Sequence, residues 1–204
     1  MRIECIDDLM VSQFERVCHA SESAFPSGKW NLTSKPIKPF KRKLERGLVS
    51  IEAAKSREDR NNRFCSVFIN PPSGAIGHSI AISSEHLDDL GLRIVELATM
   101  IDEPTLRSGR LNDSQWITLT QSIQQLRDSE AHLVSGEGFT FSKLHEISGD
   151  IADKHGPIAK VFIDATCLSI DLQAILPGSS VDKGLLEPFT KLALKLGCGV
   201  VFFH

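Results

Sequence analysis

Alternating helices and short, continuous apolar strands across residues 78–204 predict an α/β fold with a mostly parallel sheet covered on both faces. Three observations carry this expectation. The runs Ala131–Val134, Ala159–Asp164 and Gly199–Phe203 are almost wholly apolar, as strands buried on both sides are. One helical stretch separates each run from the next. Finally, 204 residues that are 41% hydrophobic and 24% charged suffice to bury such a core without disulfide or metal staples.

Residues 1–24 are expected to be helical, because Ile6, Leu9, Met10, Phe14, Val17 and Cys18 recur at helical spacing. Phe25-Pro26-Ser27-Gly28-Lys29 breaks that pattern, and Pro36 and Pro39 extend the loop. Residues 40–60 predict a basic helix with an irregular stripe of Phe40, Leu44, Val49, Ile51 and Ala54, ended by Asn61-Asn62. Phe64–Ile69 reads as a short buried strand closed by Pro71-Pro72-Ser73-Gly74. His78–Ser83 predicts a strand, followed by a helix over residues 85–101 and a break at Pro104. A helix over residues 113–127 is opened by Asn112 or Asp113, and one from Thr140 or Ser142 runs to residue 154. Pro177-Gly178 marks a loop before a helix at residues 182–196. No internal repeat or low-complexity tract is evident.

Composition narrows the function classes. No apolar run reaches the 18 or so residues of a membrane span, and the acidic start Met1-Arg2-Ile3-Glu4 is unlike a secretory leader, so a cytoplasmic protein is expected. Five cysteines are odd in number and scattered, and seven histidines are dispersed, which predicts free thiols, no metal site and no cofactor. No Gly-x-Ser-x-Gly elbow or His-Glu-x-x-His helix is present.

Charge is uneven. Residues 35–63 hold ten Lys/Arg against four acids, a local charge of +6 that leaves −9 for the rest of a −3 chain. A basic arm on an acidic body predicts phosphate contacts, with Lys41, Arg42, Lys43 and Arg46 as candidate nucleic-acid ligands and Trp30 and Phe40 as stacking residues. The alternative is a solvated helix face.

Two segments are distinctive. Leu106-Arg107-Ser108-Gly109-Arg110-Leu111-Asn112-Asp113-Ser114-Gln115-Trp116 resembles the Leu-Arg-Thr-Gly-x-Leu-x-Asp-x-x-Trp segment of DnaB-type replicative helicases. Phe139-Thr140, then Ile151-Ala152, His155-Gly156-Pro157-Ile158 and Val161-Phe162-Ile163-Asp164 follow that family's order in the same region. The resemblance covers residues 78–204. It implies a RecA-like three-layer sandwich, truncated, with an N-terminal helical and basic extension at residues 1–63 and the partial domain at 64–204.

The family's reaction needs a glycine-rich turn that cradles phosphates, a Ser/Thr hydroxyl and an aspartate on magnesium, and a glutamate that activates water. No Gly-x-x-x-x-Gly-Lys-Ser/Thr occurs in the sequence. Ser27-Gly28-Lys29-Trp30 puts Trp where the hydroxyl belongs, and Pro71–Gly77 has glycines without lysine. If Phe64–Ile69 is a strand, only eight residues precede the next one, too few for the helix that should follow a phosphate loop. By resemblance Asp164 matches the magnesium-associated aspartate as a vestige, and it is equally suited to satisfying loop amides. Ser84 falls at the glutamate position, with Glu85 one residue late. His204 stands where a phosphate-sensing Gln is expected, and the domain is expected to lack the later strands and the arginine finger. The first DNA-contacting loop corresponds to Ser169–Lys183, with one lysine against two aspartates.

The expectation is therefore a pseudo-ATPase without catalytic residues, acting as a protein-interaction module in DNA replication or a mobile element. A replicative helicase or a second copy is the expected partner. The alternatives are a nucleic-acid-binding protein using residues 35–63 and, third, an unorthodox ATPase.

Overall fold

The computed structural model describes residues 2–23, 47–69, 77–168 and 183–204. In chain order the elements are β1 (Arg2–Cys5), α1 (Ile6–Ser23), β2 (Val49–Glu52), α2 (Arg57–Ile69), β3 (His78–Ser83), α3 (Leu87–Thr99), α4 (Glu103–Ser108) and α5 (Asp113–Arg127). They continue with β4 (Ala131–Ser135), α6 (Phe141–His155), β5 (Ile158–Asp164), a 3-10 turn (Ala165–Cys167), α7 (Lys183–Leu196) and β6 (Gly199–Phe203). The strands form one sheet in the order β1-β4-β3-β5-β6-β2, parallel except for the β1–β4 pair.

Strand alternation divides the core into two layers. Ala81, Leu133, Phe162, Val201 and Phe203 face helices α1 to α5. Their neighbours Ile80, Ile82, Val134, Val161, Ile163, Val200 and Phe202 face α6 and α7. The central strands bury every residue of β5 and β6, which explains their continuous apolar runs. No helix among the described residues is long and apolar enough to cross a membrane.

Several expectations hold closely. Asn112 caps α5 in a reciprocal capping box with Gln115, and the Thr140 hydroxyl caps α6 through the Lys143 amide. Pro104, expected as a break, opens α4 in its first turn, where a missing N–H is no loss. The distinctive segment 106–116 is scaffold. Leu106 is fully buried, and Trp116 meets Phe14 of α1 edge-on at 6.3 Å between ring centroids. Gly109 ends α4 at φ 64°, and a Cβ there would lie 2.2 Å from the Ser21 nitrogen. Only glycine lets α1 cross at that point.

The N-terminal quarter departs from expectation. Residues 2–5 form a strand that pairs antiparallel with β4 before the helix begins. The basic helix expected over 40–60 is replaced, in its described part, by β2 and a turn, with α2 starting only at Arg57. Phe64–Ile69 is not a strand but the C-terminal half of α2. A six-residue apolar run fits either element. Here Phe64, Cys65 and Phe68 share the helix face that meets the sheet, with Phe64 edge-on to Phe203 at 5.8 Å. The expected boundary at 63/64 thus falls inside one helix, and β2 lies in the same sheet as β3 to β6.

Candidate functional site

In an open parallel sheet, ligand chemistry gathers beyond the carboxyl ends of the strands. There the register places Glu52 of β2 and Asp164 of β5 level with each other, on either side of Phe203 in β6. Helix α2 lies over this row. Its arginines recur every three residues, so Arg57, Arg60 and Arg63 share one helix face. Each meets a carboxylate from a different part of the sheet edge.

Arg60 Nε lies 3.1 Å from Asp164 Oδ1, with the two side chains only 14% and 2% exposed. Its N–H is not aligned for a hydrogen bond, so this contact is an ion pair held by charge and burial. Asp164 also accepts from the Thr166 amide at 3.0 Å and the Thr166 hydroxyl at 2.8 Å, with Ser83 Oγ 3.4 Å away. The aspartate therefore ties the turn after β5, as its place at a strand end suggested. Arg57 Nη2 donates to Glu85 Oε1 at 2.7 Å, and Asn61 Nδ2 donates to the same oxygen at 3.1 Å. Burial pushes the Glu85 carboxyl up, but these two donors outweigh it and hold the group below the usual glutamate range. Arg63 reaches Glu52 at 4.0 Å and Asp59 at 3.0 Å.

The connection from β2 to α2 has the strand–turn–helix context of a phosphate-binding loop, and Lys55-Ser56 has the Lys-Ser order that ends such a motif. The corrected position of α2 thus supplies the helix for which a strand at Phe64–Ile69 left no room. Yet only residues 53–56 make the turn, and none is glycine. Its donors are already engaged. The Ala54 amide donates to the His204 carbonyl at 2.6 Å, and the Lys55 amide to Asp59 Oδ2 at 2.9 Å. Ser56 Oγ accepts from the Asp59 amide at 3.1 Å. A helix N-terminus attracts an anion; here α2 supplies its own, the Asp59 carboxylate. The Arg63 hydrogen bond, then that from the Lys55 amide, hold Asp59 below the ordinary aspartate range.

Beside Glu85 a cleft of about 480 Å³ opens between α2 and α3. Four carboxylates (Glu58, Glu85, Asp89, Glu103) line it against Arg57 and Arg93. That balance disfavours a polyanion.

Of the residues singled out in the sequence, Asp164 and Glu85 come together in this cluster, while His204 joins it through its backbone, pairing with Glu52 and Ala54. Lys41, Arg42, Lys43 and Arg46 lie outside the described residues, as do Trp30, Phe40 and the loop at 169–182. Sequence reasoning missed Lys55, Ser56 and the three arginines. The signals were present: a Lys-Ser pair before two acids, and an Arg-x-x-Arg-x-x-Arg repeat.

No family model matches this chain, and no curated protein matches it. Among solved structures it is similar to the ATPase domain of a DnaB-like replicative helicase, with a TM-score of 0.55 and 15% identity over 78% of this chain and 57% of that one. It is also similar to a second DnaB-like replicative helicase, described with its interactions with primase, with a TM-score of 0.57 and 14% identity over 78% of this chain and 39% of that one. The chain spans less than two thirds of either. The fold is that of the RecA-like domain of DnaB-type helicases.

Proposed function

We propose that this chain is a catalytically inactive DnaB-like module, a pseudo-ATPase that acts through protein contacts. Its expected setting is DNA replication or a mobile element, and its partner is a replicative helicase subunit or a second copy of itself. The observation that carries this reading is the Arg60–Asp164 pair. In the resembled reaction that aspartate serves a magnesium ion, and a guanidinium beside it repels a second cation. Admitting the metal requires Arg60 to leave a buried pair, which costs about 3 kcal/mol or more. The short turn before α2, with its amides engaged by Asp59 and His204, supports the same reading. RecA-like domains pack against neighbouring subunits through their flanks, so a copy with a filled site keeps a surface for docking.

Two measurements on the full chain test this. Titration calorimetry with millimolar Mg-ATP is expected to give no saturable heat; saturable heat that disappears in Asp164→Asn overturns the inactive assignment. Light scattering with and without the replicative helicase of the same cell is expected to show a discrete complex or a stable dimer. A monomer indifferent to helicase overturns the partner assignment. Salt-sensitive DNA binding abolished by charge reversal at Lys41, Arg42 and Lys43 would favour the nucleic-acid reading instead. Arg57, Arg60 and Arg63 are engaged by the protein's own acids, so they add little to that alternative.

A further inference from the structure

The opposite edge of the sheet gathers side chains that the sequence scatters. His78 begins β3, His132 is the second residue of β4, and His155 ends α6. Their rings form a triangle with centroid separations of 5.2, 4.5 and 5.7 Å. His132 Nε2 and His78 Nδ1 are 3.3 Å apart, close enough to share one proton. Cys5 pairs directly with His132 across the antiparallel β1–β4 register, so both side chains stand on the same face of the sheet. Its thiol is free.

We propose that His78, His132, His155 and Cys5 form a binding site for a borderline-soft divalent transition metal, of which zinc is the type. Two nitrogens bound at ~2.05 Å to one tetrahedral ion stand about 3.3 Å apart. His78 and His132 already have that separation, so an ion can replace the proton they share without moving the strands. In this conformation no three His, Cys, Asp or Glu donors among the described residues are gathered tightly enough to hold an ion. The site closes by side-chain rotation, and His155 is free to make it, being exposed at the end of its helix. Cys5, half-buried on the edge strand, supplies the fourth position. The three histidines and the thiol make a mixed N/S set, which suits zinc or cobalt rather than magnesium or calcium. Binding pins β1 and the end of α6 to β3 and β4, a structural role far from the arginine–carboxylate cluster.

The test uses full-length protein stripped with chelator and titrated with Co²⁺. The expected result is one equivalent bound, with the intense visible bands of a four-coordinate ion and a sulfur-to-cobalt charge-transfer band, both displaced by Zn²⁺. His155→Ala at an exposed position and His78→Ala at a half-buried one should keep the fold by circular dichroism and each lose at least about tenfold in affinity. Cys5→Ser should abolish the sulfur band. Absence of stoichiometric binding overturns the proposal, as does binding that folded His78→Ala and His155→Ala leave unchanged. A cobalt spectrum without the sulfur band overturns the assignment of Cys5.

Discussion

Replacing Arg60 with methionine isolates the contact on which the functional reading rests. Met keeps most of the aliphatic stem and removes the guanidinium. Asp164, 2% exposed, is then left with donors from Thr166 and Ser83 but no counter-charge. Breaking one side of a buried pair costs roughly 3–5 kcal/mol. Two features pull the value down: the Arg60 N–H is not aligned on its oxygen, and Thr166 continues to satisfy one oxygen twice. About 2–3 kcal/mol is therefore expected for Arg60→Met, read as a shift of the urea midpoint at unchanged slope. Asp164→Asn orphans Arg60 instead and should also destabilise. The double variant should recover at least about 1 kcal/mol relative to the sum of the singles, because the charges are lost together. Two results refute the reasoning. If Arg60→Met is neutral within ~0.5 kcal/mol, or the two changes simply add, the pair does not neutralise Asp164 and the claim that it excludes magnesium loses its basis.

Three further outcomes follow from particular contacts. Gly109→Ala should lower stability by about 2 kcal/mol or more in calorimetry, because φ 64° and the Ser21 backbone both oppose a Cβ. In metal-free buffer with chelator, stability should fall between pH 6.5 and about 4. Burial first, then His155 and His78, push His132 down to about 4, so the unfolded chain takes up that proton more readily. The contribution is fully present above pH 6.5, amounts to about 3 kcal/mol, and is lost as pH falls; His132→Gln should flatten that window, and an unchanged pH curve would contradict it. Thiol labelling of the native protein should modify Cys5 first and Cys18 next. Burial pushes Cys65 and Cys198 up to about 12 and about 11, and Cys167 higher still, so these three should react only on unfolding.

The candidate site was half legible. Asp164 stands out because a continuous apolar strand ends on it, and its turn-capping role follows from the same position. The arginines that face the carboxylates were not legible, because the stretch before Phe64 reads as a basic helix and the one after it as a strand. Lys55-Ser56 loses its meaning with that one shift, since a phosphate-loop remnant is recognised only between a strand and a helix.

By itself the sequence determined the elements whose signals are local. Strands β3 to β6 are short apolar runs, and helices α5 and α6 carry their own caps in Asn112 and Thr140. Those preferences act within a few residues and need no partner. Tertiary structure alone decided whether Val49–Glu52 is a strand, since this edge element is stabilised mainly by pairing with Val200–Phe203 of β6, distant along the chain. It alone decided that Phe64–Ile69 is helix, because a six-residue apolar run satisfies either period until a sheet face selects one. It also brought three arginines onto three acids and three histidines onto one another. Charge pairing and ligand geometry depend on distances across the sheet, and those are fixed by strand order and register rather than by spacing along the chain.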